Sequence, residues 1–212
     1  MTHARGVVVN SHMVRSAVMG FYGLPPDRIH LVRNAVNLRR FAPGKKTESP
    51  TVVFPGGQVP RKGLRVAVEA AQRLPDVELL VLGQVDSRLQ QWARERNPRV
   101  RFVGQVDDPE RILGAAHALV LPTKYDPSSN AVLEAMACGV PAITTEYDGS
   151  SELLPHPWMA IADPSDDQGF AEVLMTVINE PNLGETCRAI ASNHTLDTSF
   201  SSLLNVVLEE GR

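Results

Sequence analysis

Short continuous apolar runs alternate along this chain with longer stretches whose apolar residues return every three or four positions. The first pattern predicts strands and the second helices. Val7-Val8-Val9 reads as a strand, and Asn10 and Ser11 can cap a helix over residues 12–22 that carries Val14, Val18 and Phe21 on one side. Gly23 and Pro25-Pro26 stop it. A strand follows at 29–32, then a turn at 33–37. Residues 42–50 are polar and hold Pro43, Gly44 and Pro50, which predicts a linker or a domain edge. From Thr51 the alternation becomes regular. Strands are expected at 51–54, 77–82, 100–103, 118–121 and 140–144, with an edge strand at 159–162. Helices are expected at 61–74 (Leu64, Ala67, Val68 and Ala71 inward), 87–96, 109–117, 129–138 and 168–179. From Thr186 a polar segment leads into a last helix with Phe200, Leu203, Leu204, Val207 and Leu208 on one stripe.

Strands alternating with helices argue for βαβ units, and continuous apolar strands argue for a parallel sheet covered on both faces. The expected fold is α/β, a Rossmann-like doubly wound parallel sheet. Such sheets bind ligands beyond the carboxyl ends of their strands. Those ends carry Gly56-Gly57, Gly83, Gly104 and the segment from Pro122 to Pro127.

Composition narrows the function classes. The 212 residues suffice for one domain with a sizeable core. A formal charge of −3 gives no reason to expect nucleic-acid binding. Two cysteines, Cys138 and Cys187, make no disulfide framework and read as packed small side chains. The six histidines are scattered, so no metal site is expected. The first apolar run is too short for a signal peptide or a membrane span. The expectation is a cytoplasmic protein, with peripheral membrane contact left open.

Two constellations carry chemistry. In Phe54-Pro55-Gly56-Gly57-Gln58-Val59-Pro60-Arg61-Lys62-Gly63, paired glycines end a strand and let backbone approach a ligand. The next helix would start near Arg61 and Lys62, where free N–H groups and cations favour a phosphate or diphosphate. A surface turn with solvated basic residues explains the same residues. The second constellation is Tyr125-Asp126-Pro127-Ser128-Ser129-Asn130-Ala131-Val132-Leu133-Glu134. A helical Glu134 could accept both hydroxyls of a ribose diol, Asp126 could accept sugar hydroxyls, and the amides of Ser128 to Asn130 could meet phosphate oxygens. A solvated helix residue and a turn former explain Glu134 and Asp126 equally well. Asp148-Gly149-Ser150-Ser151-Glu152 could line the same cleft or simply turn the chain, with the turn favoured, and Trp92 and Trp158 read as packing residues. His12, Arg15, Arg33 and Asn34 could approach a ligand from the other side or serve solvent and packing roles.

The segments Asn10-Ser11-His12, Tyr22-Gly23, Val32 to Asn37, Arg61-Lys62-Gly63 and Leu82-Gly83, and most specifically Tyr125 to Pro141, resemble the nucleotide-sugar-binding half of GT-B glycosyltransferases of the large retaining family 4, the "glycosyl transferases group 1". The resemblance implies one half of a GT-B fold. Residues 1–40 would be the end of an acceptor domain and the crossover, 41–185 the donor domain, and 186–212 a C-terminal helical segment. It implies transfer of a hexose-type sugar from a nucleotide diphosphate sugar to an acceptor hydroxyl with retention, in polysaccharide biosynthesis, with no bound metal or other cofactor required. Lys62, on the donor diphosphate, and Asp126, near the donor sugar, would act in catalysis. Gly57, Arg61, Lys62, Ser129, Asn130 and Glu134 would bind the donor, with Glu134 on the ribose. Three departures stand out. Gln58 occupies the place of the family's usual arginine, Ala35 replaces a glycine, and Ser128-Ser129 replaces Phe-Gly. A partner chain supplying the acceptor domain, or self-association through the last helix, would complete such a half. The alternatives are a truncated inactive transferase, a non-catalytic nucleotide-sugar-binding module, and a nucleotide-sugar epimerase.

Overall fold

The computed structural model describes residues 5–57 and 59–210. Met1 to Ala4, Gln58 with its departure from the family pattern, and the last two residues of the C-terminal segment lie outside the described residues.

Two sheets form. Strands β1 (Val7–Val9) and β2 (Ile29–Leu31) make a two-stranded parallel sheet joined by helix α1 (His12–Tyr22). The second sheet contains β3 (Thr51–Pro55), β4 (Glu78–Leu82), β5 (Val100–Gly104), β6 (Ala118–Val120), β7 (Ala142–Thr145) and β8 (Ala160–Ile161). Its order is β5-β4-β3-β6-β7-β8, and every pair is parallel. The chain therefore winds outward from β3 to one edge, returns, and winds from β6 to the other. The switch point lies between β3 and β6, where a ligand crevice is expected. Helices α2 (Leu64–Gln72), α3 (Ser87–Arg96) and α6 (Asp167–Asn179) pack as one group, and α4 (Pro109–Ala115), α5 (Asn130–Ala137) and α7 (Leu183–Ala191) as another. Helix α8 (Leu196–Glu210) follows α7.

Local chemistry explains these boundaries. Ser11, Asp86 and Asp166 accept from the amides of Val14, Leu89 and Gly169 and so cap α1, α3 and α6. Gly139 takes φ +66° and ends α5, with its amide on Met136 O and that of Val140 on Ala135 O. Arg188 on α7 then donates to Ala137 O at the same helix end. The central strands are continuous apolar runs whose Val52, Val53, Phe54, Leu79, Val81, Leu119 and Ile143 are fully buried. Each such side chain adds about 1.5–3 kcal/mol of transfer free energy.

The structure corrects several expectations. The helix expected at 61–74 starts only at Leu64. Gly63 takes φ +79°, and Pro60–Lys62 form a separate 3₁₀ turn. The polar segment after Thr186 belongs to α7, which starts at Leu183. Its Leu183, Cys187 and Ala191, four residues apart, are buried, and the helix packs against α5. Residues 42–50, the expected linker or domain edge, form no regular element and bond to the end of α4, a contact the sequence did not announce: Gly44 N donates to Gly114 O, Thr47 N to Ala115 O and Lys46 Nζ to Ala116 O. The Val14, Val18 and Phe21 face of α1 has no buried residue, and Phe21 is 83% exposed. Cys138 and Cys187 are free and buried, and burial pushes their thiols up to about 11 and about 12. Both stay protonated and unreactive at neutral pH.

Candidate functional site

The two strands that flank the switch point each send out one loop. The loop after β3 reaches Arg61 and Lys62, and the loop after β6 reaches Asp126. The loops are stitched together. Lys124 N donates to Arg61 O at 2.7 Å, and Thr123 Oγ1 donates to the same carbonyl at 3.2 Å. A Cβ on Gly63 would stand 2.1 Å from Pro122 O, so this close approach needs a glycine. Lys62 lays its stem over Gly56, where a Cβ would meet Lys62 Cδ at 2.5 Å.

The side chains then converge. Arg61 Nη1 donates to Asp126 Oδ2 at 3.1 Å and to Tyr125 O at 2.6 Å, and Lys62 Nζ lies 3.7 Å from the same carboxylate oxygen. Asp126 is buried, and its backbone is pinned on both sides, N to Tyr147 O and O from Gly149 N. Two cations and one carboxylate thus meet beyond the carboxyl edge at the switch point.

Glu134 sits elsewhere on α5, half-buried, and its carboxylate makes no hydrogen bond with another described residue. Burial pushes its pKa up. The Arg40 charge opposes that rise, and the Glu110 carboxylate adds to it. Arg40 Nε and Glu110 Oε2 pair with each other at 3.0 Å. Sequence reasoning missed this pair, since 70 residues separate its members.

The amides expected to meet phosphate are partly occupied. Gly57 N donates to Leu82 O at 2.7 Å, and its glycine is required because a Cβ would stand 2.4 Å from Gln84 O. Ser129 N donates to Asp148 Oδ1 at 3.2 Å. Ser129 keeps one open group, a buried Oγ with no partner among the described residues. Asn130 is exposed, and its Oδ1 accepts from Asn34 Nδ2 at 2.8 Å.

Asp148, read from the sequence as part of a turn, is a fully buried hub. It accepts from Ser129 N, Ser150 N, Ser150 Oγ and Thr144 Oγ1. Burial pushes its pKa up against those hydrogen bonds. The first forty residues approach the same region. Ser11 Oγ donates to Pro127 O at 2.7 Å, and Asn34 Nδ2 donates to Ser128 O at 3.0 Å. Glu152 accepts from the amides of His12 and Met13 at the start of α1 and pairs with Arg33 at 2.6 Å. Arg15 donates to Pro26 O, away from these contacts. Trp92 lies under Arg65, 4.3 Å from guanidinium carbon to ring centre, and Trp158 stacks on His156.

The cavities flank this constellation rather than contain it. One of about 420 Å³ is lined by Val59, Pro60, Pro122 and Lys124; another of about 650 Å³ is lined by Asn10, Asn34 and Asn130. The ion-pair geometry is the better guide, because it sits where the fold opens between β3 and β6. Among the described residues, no group of three or more His, Cys, Asp or Glu side chains could hold a metal ion, and no helix is long and apolar enough to cross a membrane.

Comparison with known proteins adds three findings. The family described as "Glycosyl transferases group 1" matches residues 49–180. The lipopolysaccharide core biosynthesis glycosyltransferase LpsE of Rhizobium meliloti (strain 1021) is 31% identical over 159 residues, 73% of this chain and 46% of the relative. Among solved structures, the sucrose-phosphate synthase of Thermosynechococcus elongatus superposes with a TM-score of 0.86 at 23% identity, covering 98% of this chain and 58% of that one. Anabaena HepE in complex with UDP-glucose gives 0.84 at 18% identity, covering 97% and 64%. The chain thus spans about half the length of the curated relatives it matches. These findings do not favour the epimerase alternative, since the matching family and this relative are described as glycosyl transferases.

Proposed function

Because the chain belongs to the glycosyl transferases group 1 family, we propose that it is the donor-binding half of a retaining family 4 glycosyltransferase. In this reading it transfers a hexose-type sugar from a nucleotide diphosphate sugar to an acceptor hydroxyl in polysaccharide biosynthesis. The observation that carries it is the convergence of Arg61, Lys62 and Asp126 from the two loops at the switch point. Cations at a sheet's carboxyl edge suit a diphosphate, and a carboxylate beside them can accept sugar hydroxyls.

Lys62 and Arg61 hold the donor diphosphate and stabilise the charge that grows on it as the sugar leaves. Arg61 here does the work of the arginine usual at the place of Gln58. Ser129 Oγ, buried without a partner, adds a neutral donor for a phosphate oxygen. Glu134 accepts the two ribose hydroxyls, and its open carboxylate supports this role. Asn130 and the tight glycine turn at Gly57 shape the wall of the site. The reaction requires no metal in this reading. In this reading residues 1–40 are the end of the acceptor domain and the crossover, 41–185 the donor domain, and 186–212 a C-terminal helical segment. The protein works in the cytoplasm or against its membrane face.

Calorimetric titration of the purified chain with UDP, GDP, ADP and their glucose conjugates tests the reading. Saturable binding to one base, lost in Glu134→Ala, is the expected result. A folded chain that binds none of them refutes it. A second reading, a binding module without transferase activity, draws on Gln58 at the place of the family's usual arginine. It is separated by assaying transfer from the bound donor once an acceptor half is supplied.

A further inference from the structure

We infer that Asp126 discriminates a sugar-loaded donor from the spent nucleoside diphosphate, by latching Arg61 and Lys62 when no sugar is present. This rests on the donor-binding reading above. One carboxylate oxygen, Asp126 Oδ2, serves both cations, at 3.1 Å from Arg61 Nη1 and 3.7 Å from Lys62 Nζ. A diphosphate entering the site needs those same two cations.

The two sides of the latch differ in freedom. Asp126 is 7% exposed, and its backbone is held by Tyr147 O and Gly149 N, so the carboxylate has nowhere to retreat. The Arg61 side chain is 45% exposed and can swing toward a ligand. Once the cations turn to the phosphates, Asp126 is left as a buried carboxylate beside a second anion, which is unfavourable on both counts. A sugar on the diphosphate relieves this, because its hydroxyls donate hydrogen bonds to the freed carboxylate. A nucleoside diphosphate carries no sugar hydroxyl to that place. The same residue therefore rewards the loaded donor and favours release of the spent nucleotide.

The test is a set of titrations with UDP, UDP-glucose and inorganic pyrophosphate, with the GDP and ADP pairs run in parallel, on the full chain and on Asp126→Asn. The unaltered chain is expected to bind the glucose conjugate more tightly than its nucleoside diphosphate. Asp126→Asn is expected to bind UDP and pyrophosphate about three- to fivefold more tightly, the scale of one partly exposed ion pair, while UDP-glucose gains nothing. Removing Arg61 should then cost UDP more in the Asp126→Asn background than alone, a coupling that a purely structural aspartate would not produce. UDP affinity unchanged or weaker in a folded Asp126→Asn variant overturns the latch. So does an unaltered chain that binds UDP at least as tightly as UDP-glucose, a result that needs no variant and leaves the donor-binding reading standing. Binding of none of the probes overturns that reading and the latch with it.

Discussion

Glu134 shows how a single residue's surroundings set a testable pH dependence. Burial raises its pKa above the ordinary 4.5. The fold therefore favours the neutral form. Its contribution to folding is complete below the unfolded value and is lost as pH rises through the folded one. Glu134→Gln should accordingly raise the melting temperature of the unliganded chain at neutral pH. Binding runs the other way, because a ribose diol needs the ionised carboxylate. Nucleotide affinity should fall on acidification through a pH above the ordinary glutamate range, and Glu134→Gln should flatten that profile. A profile unchanged by the substitution would remove Glu134 from the ribose. Lys62 makes the complementary case. Its Nζ reaches Asp126 and its stem crosses Gly56. Lys62→Ala should weaken nucleoside diphosphates about tenfold, the scale of one charge-assisted hydrogen bond, and leave nucleosides unaffected. Equal losses in the two titration series would mean that Lys62 meets no phosphate. The residue types at these two positions were legible in the chain, but the Arg61 contact with Asp126 was not. It spans 65 residues and depends on two strands becoming neighbours.

At the scale of elements, the start of α5 is organised from a distance by Asp148, in the turn that follows β7. Asp148 Oδ1 gathers Ser129 N, Ser150 N and Ser150 Oγ, and Oδ2 takes the Thr144 hydroxyl. Asp148→Ala strands these buried donors and should cost about 2–4 kcal/mol in urea unfolding. Asp148→Asn is expected to be far milder. Its oxygen can keep the three donors on the Oδ1 side. Its amide can donate to Thr144 Oγ1 once the hydroxyl turns its own proton to Leu121 O, the alternative acceptor at 3.0 Å. Equal losses in the two variants would show that charge, rather than the hydrogen-bond pattern, holds the element. The strands were readable because most are continuous apolar runs, and α1 was readable from its cap and flanking breakers. Two elements were not. Gly63 splits a pattern that looks like one helix, since periodicity cannot register a left-handed residue. Helix α7 hides its buried face in Leu183, Cys187 and Ala191, amid polar neighbours. Asp148 looked like a turn residue because a buried hub and an exposed turn use the same Asp-Gly-Ser sequence.

The whole molecule is finished on one side and open on the other. The six-stranded sheet is covered by two helical groups, while the two-stranded sheet of β1 and β2 has α1 beside it and α8 against its following loop. Helix α8 is anchored at its start, where Ser199 Oγ donates to Arg33 O at 3.0 Å and Thr195 bridges Val36. Beyond that anchor its apolar residues face solvent. Phe200 is 67% exposed, and Leu203, Leu204, Val207 and Leu208 continue the same stripe. An exposed apolar stripe of this length seeks a cover. In the proposed full assembly the acceptor half supplies it; in the isolated chain a second copy is the available apolar surface. Sedimentation velocity should therefore show self-association that grows with protein concentration. Replacing Phe200 and Val207 together by serine should return the chain to monomer. Nucleotide affinity should stay unchanged, because neither residue touches Arg61, Lys62, Asp126 or Glu134. A chain that remains monomeric over the whole accessible concentration range would mean that α8 is tolerated bare. Dissociation accompanied by lost nucleotide binding would instead tie α8 to the donor site, through the cavity that Leu196, Ser199 and Leu203 share with Asn34 and Asn130.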